Sequence, residues 1–218
     1  MKVAIFDMDG TLIDSMHYWR TVAIEFLRER GFEPTKEICD KAYLMSVRDA
    51  PKLFRQYYDI AETDDEYNEL VNQIMFRHYD TDVTLKPYAD KYLKKLRSRG
   101  VICVLATATW RPITLPLIER LGIRDYFKCD GREYMVCRDE MGMSKASDEY
   151  YPTLLKKFGF SASDCVMFED ALYSMRTAKR AGLKVCAIEE ETAAANIDEI
   201  KQLADRYIHG WRELVDGE

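Results

Sequence analysis

The sequence predicts an α/β protein: a doubly wound parallel sheet carrying an inserted α-helical cap domain. Three observations predict it. Residues 3–6, 101–106, 165–168 and 184–188 are short apolar runs without polar alternation, as expected of parallel strands covered on both faces. Helical patterns lie between them, each stopped by a glycine, so that helix, glycine, strand and loop repeat as crossover units. Residues 15–81 break that rhythm with helical periodicity and no convincing strand.

Taken in order, Val3, Ala4, Ile5 and Phe6 make the first strand. The cap then shows three apolar stripes at helical spacing: Trp19, Val22, Ala23, Phe26 and Leu27; Leu53, Phe54 and Tyr57; Tyr67, Leu70, Val71, Ile74, Met75 and His78. The α/β pattern resumes with a helix over 88–99 that ends at Gly100, followed by the strand 101–106. Helices over 112–121, 148–158 and 171–181 stop at Gly122, Gly159 and Gly182. The stretch 129–143 must hold another strand, but no run marks it. The expected division is therefore 1–14 and 82–218 for the catalytic core, and 15–81 for the cap.

The 218 residues, 47% hydrophobic and 32% charged, suit an ordinary globular chain with a sizeable core. A formal net charge of -6 without a long run of one sign speaks against a nucleic-acid partner. Asp7 arrives too early for a signal-peptide apolar region, and no stretch reaches the ~18 apolar residues of a membrane span. The expectation is a cytoplasmic monomer with no membrane partner. Cys39, Cys103, Cys129, Cys137, Cys165 and Cys186 show no CxxC pair and no zinc spacing with His17, His78 and His209, and read as reduced thiols.

The chemistry lies at the strand ends. In Asp7-Met8-Asp9-Gly10-Thr11, directly after the first strand, residues two apart face the same side, so both carboxylates can enter one site. That site lies where open α/β sheets bind ligands. A tight Asp-Gly hairpin with two solvated acids is the plainer alternative. Thr107 and Thr109 follow residues 101–106 and can offer hydroxyls and amides to an anion, or be ordinary loop residues. Glu169 and Asp170 follow 165–168; in isolation they read as acids at a helix N-terminus. Lys145, in a loop before a helix, would in isolation be solvated. Together these residues supply the nucleophile, acid, hydroxyl, cation and metal carboxylates that phosphoryl transfer needs.

In this order and spacing, Asp7-Met8-Asp9-Gly10-Thr11, Thr107, Lys145 and Glu169-Asp170 resemble the motifs of the haloacid dehalogenase superfamily, in the group with a helical cap after the first strand. The resemblance spans essentially the whole chain. It departs at Ser144-Lys145-Ala146-Ser147-Asp148, which lacks the family's proline-rich continuation. It implies a HAD/Rossmann-like core and a magnesium-dependent phosphatase acting on a small phosphorylated metabolite. Asp7 would be the nucleophile that becomes an aspartyl phosphate, and Asp9 the acid and base. Thr107 and nearby amides, with Gly10, Thr11 and Ala108, would bind the phosphoryl group, and Lys145 would neutralise it. Mg2+ would be held by Asp7, the Asp9 main-chain carbonyl, Glu169 and Asp170. The second acid fits an alkoxide leaving group and argues against dehalogenation, because a halide needs no proton.

Two alternatives compete. A phosphomutase resembling β-phosphoglucomutase would also use these residues, and Ser46-Val47-Arg48-Asp49 resembles the stretch where those enzymes carry a phosphate-binding Arg. The cap is accordingly expected to close over the site, with Arg48 meeting the substrate's non-transferred part. Trp19, however, stands where the mutases carry a cap His, with His17 two residues away. A phosphate-accepting signalling or binding domain would also combine acids, Thr and Lys, but such domains are shorter and have no helical insert.

Overall fold

The computed structural model describes residues 1–217. Strand β1 (Val3–Phe6) and the short β2 (Ile13–Asp14) lead into helices α1 (Met16–Glu29), α2 (Lys36–Tyr43), α3 (Ala50–Phe54) and α4 (Asp64–Thr81). The chain returns through β3 (Thr84–Leu85), which pairs antiparallel with β2. Next come α5 (Ala89–Ser98), β4 (Ile102–Ala106), α6 (Arg111–Arg120), the hairpin of β5 (Lys128–Cys129) and β6 (Arg132–Glu133), β7 (Met135–Val136) and α7 (Arg138–Met141). It finishes with α8 (Tyr150–Phe158), β8 (Cys165–Glu169), α9 (Leu172–Arg180), β9 (Lys184–Ile188), α10 (Ile197–Leu203), β10 (Arg206–Ile208) and α11 (Arg212–Asp216).

Six strands form one sheet in the order β10-β9-β8-β1-β4-β7, and every pairing in it is parallel. From β1 the chain steps outward to β4 and β7, then crosses back to β8 on the other side of β1. Right-handed crossovers running in opposite directions place helices on both faces. The reversal also leaves a crevice at the carboxyl end of β1, beside β8.

Alternation along β1 divides the core. Val3 and Ile5 face one side and belong to the apolar cluster that includes Tyr151 and Leu154 of α8 and Met175 and Ala178 of α9. Phe6 faces the other side, stacked on Phe168 with ring centroids 4.8 Å apart and 5.8 Å from Trp211. Burying each such side chain contributes about 1.5–3 kcal/mol, which fixes the strand that carries the site. Trp211 also donates its indole N–H to the Thr11 carbonyl at 3.1 Å, tying the C-terminal segment to the turn after β1.

Several boundaries differ from the sequence reading by a residue or two. Val101 is not in β4, because its N–H bonds the Leu96 carbonyl and completes the stop of α5. The helix expected from residue 148 starts at Tyr150, since Ser147 accepts from Tyr150 N and closes a turn first. The strand hidden in 129–143 is β7, only two residues long. The six cysteines are free, four of them buried and Cys39 and Cys129 half-buried. Among the described residues no helix is long and apolar enough to cross a membrane.

Ser15–Val83 forms a second compact unit. Within it α1 packs on α4, with Phe26 against Tyr67 at 4.7 Å and the Trp19 indole donating to the Tyr79 hydroxyl at 2.8 Å. Thr63 and Glu66 form a capping box that starts α4. Two stripe residues fall elsewhere than expected. Tyr57 is 50% exposed, because α3 ends at Phe54. His78 leaves the apolar face to bond Glu25 at 2.6 Å and Asp82 at 2.8 Å, and Tyr79 occupies the buried position instead.

Candidate active site

Asp7 extends β1 by one residue, its N–H donating to the Phe168 carbonyl of β8 at 3.0 Å. This sets it beside Glu169 and Asp170, which leave the carboxyl end of β8. Asp7, Glu169 and Asp170 are all buried and each offers a carboxylate oxygen within 4.8 Å of the others. Lys145, from the loop before α8, reaches the same point: its Nζ contacts Asp7 Oδ1 and lies 3.1 Å from Glu169 Oε2. A lysine in a loop is ordinarily solvated; this one is 3% exposed. Its own carbonyl accepts from the Thr177 hydroxyl at 2.6 Å, which anchors the loop to α9.

Fully ionised, three carboxylates and one ammonium would leave two negative charges in excess, out of water. Burial, helped by the Glu169 and Asp9 charges and opposed by Lys145, pushes the Asp7 carboxyl up to about 8. Burial and the charges of Glu169 and Asp7 likewise hold Asp170 well above the ordinary carboxylate range. Burial alone would strip the proton from Lys145, but Asp7 and Glu169 outweigh it and keep the amine firmly charged. Two excess charges on an all-oxygen donor set match one hard divalent cation.

Glu169 is held on both oxygens. Oε1 accepts from the Asp170 and Ala171 amides at 3.3 and 3.2 Å, and Oε2 from Lys145 and, at 2.6 Å, from the Ser174 hydroxyl. Ser174 is in turn 2.6 Å from the Tyr151 hydroxyl. Ser174 and Tyr151 escaped the sequence reading, as no local pattern distinguishes them from residues on helix faces. Thr11, read there as substrate-binding, is fully buried and donates its hydroxyl to Asp170 Oδ1 at 2.8 Å, so its side chain orients a carboxylate.

Asp9 is half-buried, and its carboxylate accepts from the Thr109 hydroxyl at 2.8 Å. The turn that carries it is tight: Thr11, Leu12 and Ile13 all donate to the Met8 carbonyl, and Gly10 takes φ 75°, a conformation that costs glycine little. The Gly10 amide is spent on Ile13. On the facing strand end, Thr107 donates its N–H to Val136 and accepts from the Thr109 amide at 3.0 Å. Ala108 between them is exposed, and its amide makes no hydrogen bond among the described residues. Arg48 lies on the helical unit, exposed in the turn Val47–Asp49.

The sequence profile of the haloacid dehalogenase-like hydrolases matches residues 4–188. The phosphorylated carbohydrates phosphatase of Thermotoga maritima is 23% identical over 184 residues, covering 84% of this chain and 83% of that one. The glyceraldehyde 3-phosphate phosphatase of Pyrococcus furiosus is 26% identical, covering 99% and 92%. The phosphoglycolate phosphatase of Pseudomonas savastanoi pv. phaseolicola is 27% identical, covering 93% and 78%. Among solved structures, a family IA, variant 3 hydrolase of the same superfamily from Entamoeba histolytica superposes with a TM-score of 0.78 at 20% identity, covering 99% and 98%.

Proposed function

The chain belongs to the haloacid dehalogenase-like hydrolases, and we propose that it is a magnesium-dependent phosphatase that cleaves a small phosphate monoester through an aspartyl phosphate on Asp7. The observation that carries this is the buried group of Asp7, Glu169 and Asp170 with Lys145, two charges short of neutrality when fully ionised, at the carboxyl end of β1. The relatives named as phosphatases of phosphorylated carbohydrates, phosphoglycolate and glyceraldehyde 3-phosphate support the substrate class.

Asp7 and Asp170, with the Asp9 carbonyl, would hold the magnesium. Glu169, whose oxygens are already bonded, would act through Lys145 and ligand water. When bound, the cation offsets the repulsion between carboxylate and phosphate and stabilises charge on the transferring group. Asp7 attacks phosphorus in line and forms an acyl phosphate, dividing hydrolysis into two easier steps. Asp9, aimed by Thr109, gives its proton to the leaving oxygen and then takes one from the attacking water. Lys145 and the free amide of Ala108 hold the phosphoryl oxygens.

Hydrolysis is favoured over mutase chemistry because position 19 holds Trp, bonded to Tyr79 within the helical unit, in place of the basic side chain that mutases carry. Arg48, exposed on the same unit, is a candidate contact for the remainder of the substrate. A panel of phosphorylated metabolites assayed with magnesium and with EDTA tests the proposal. Turnover that requires magnesium and vanishes in Asp7→Asn is the expected result; metal-independent turnover, or an active Asp7→Asn protein, would overturn it.

A further inference from the structure

The core unit carries a cation that none of the chemistry above uses. Arg138 opens α7, two residues past the end of β7, the strand next to β4. Its N–H donates to the Thr109 carbonyl at 3.1 Å, and the Thr109 hydroxyl donates to Asp9 at 2.8 Å. Two hydrogen bonds thus connect the Arg138 backbone to the carboxylate that protonates the leaving group. The side chain is exposed, and its guanidinium lies 5.7 Å from the centroid of the Trp110 ring, itself 45% exposed.

The arginine has no ion pair among the described residues, although two acids follow it. Both are committed elsewhere. Asp139 accepts from the Arg111 amide at 3.0 Å, while Glu140 accepts from the Cys137 amide at 2.9 Å and pairs with the Arg111 guanidinium at 3.3 Å. An aromatic face limits the orientations of a guanidinium and leaves its five donors directed outward, in the planar fork that suits carboxylate and phosphate. A side chain resting this way loses less freedom on binding than a fully solvated one.

From this juxtaposition we infer that Arg138, seated on Trp110, is a specificity residue of the core unit that binds a second anionic group on the leaving part of the substrate. The inference rests on the phosphatase reading and narrows it to small phosphate esters bearing a carboxylate or a further phosphate. Such a substrate approaches a site rich in carboxylates, so a cation at the neighbouring strand end improves binding where the net charge opposes it.

The test uses three related probes: 2-phosphoglycolate, ethane-1,2-diol bisphosphate, and 2-hydroxyethyl phosphate, which lacks the second anion. In Arg138→Ala the KM for the probe bearing the matching anion rises about tenfold or more relative to that for 2-hydroxyethyl phosphate, with kcat ratios little altered. Arg138→Lys restores part of the loss, and Trp110→Ala shifts the ratio in the same direction by a smaller factor. Which doubly anionic probe responds identifies the anion as carboxylate or phosphate. Equal effects of Arg138→Ala on all three probes, or none, would overturn the inference. Hydrolysis of p-nitrophenyl phosphate by the unaltered protein reports on the phosphatase reading separately. Failure there overturns the reading and the subsite together; success there with equal Arg138→Ala effects overturns the subsite alone.

Discussion

Replacing Lys145 by methionine, which keeps the length and removes the charge, tests the electrostatic account of the site most severely. Lys145 is 3% exposed and its Nζ contacts Asp7 and Glu169, the latter at 3.1 Å. At an effective dielectric near 20, one such pair at this distance attracts by about 5 kcal/mol before desolvation is subtracted. Removing one partner of a buried pair typically costs 3–5 kcal/mol, because the other charge stays buried and uncompensated. At roughly 2–4 °C per kcal/mol for a chain of this size, Tm falls by about 6–20 °C. The loss also has a sign in pH. Without the ammonium, the Asp7 carboxyl, already at about 8, moves higher still, against 3.8 for the free group. Below about 8 both folded proteins hold this proton and the linkage is the same in each; as pH rises through about 8 the unaltered protein releases it and the variant does not, so this part of the deficit appears there and grows with pH. Magnesium recovers part of it by supplying positive charge to the same carboxylates. The assay is thermal unfolding of both proteins from pH 4.5 to 9.5, with magnesium or EDTA. An unchanged Tm at pH 8, or a deficit that grows on acidification, would refute the reasoning.

Three further substitutions probe individual bonds. Asp9→Asn lowers kcat for alkyl phosphates by about 10²–10⁴ but much less for p-nitrophenyl phosphate, whose leaving group needs no proton; equal losses on both esters would remove Asp9 from acid–base duty. Thr11→Val deletes the hydroxyl that holds Asp170, and weakens magnesium activation by about 10–100-fold while kcat at saturating magnesium is largely kept, as read from magnesium titrations of activity. His78 resists charging through burial, yet its bonds to Glu25 and Asp82 outweigh this and raise its pKa. Its stabilisation of the helical unit is therefore complete below about 6.5 and lost as pH rises through the raised value. His78→Gln costs about 1–2 kcal/mol at pH 5.5 and little at pH 9, measured by denaturant unfolding; a larger loss at pH 9 would contradict this.

Much of the sheet was legible because parallel strands buried on both faces are written as apolar runs, as in Val3–Phe6 and Lys184–Ile188. β7 and β10 were not: one has two residues, and the other, Arg206–Ile208, lies at an edge where Arg206 is exposed. The acids at the ends of β1 and β8 were visible because strand ends are where such folds place ligands. The residues that hold them were not. The bond from Thr11 to Asp170 spans 159 positions and that from Thr109 to Asp9 spans 100, so neither leaves a local pattern. Ser174 reads as any small residue on a helix, and Tyr151 as any core aromatic, until the fold brings both to Glu169. Lys145 in isolation looks solvated for the same reason, and only its place in the ordered set of strand-end residues marked it.

The central claim is that Asp7 is the atom's-length contact that accepts the phosphoryl group, and one measurement tests it directly. The protein is mixed with magnesium and p-nitrophenyl phosphate, quenched in acid during turnover, and reduced with borohydride, which converts an acyl phosphate of aspartate to homoserine; mass spectrometry then locates the product. The account predicts homoserine at position 7, absent with EDTA and absent in Asp7→Asn. Steady turnover with no reduction at position 7, or with the modification on another carboxylate, would contradict it.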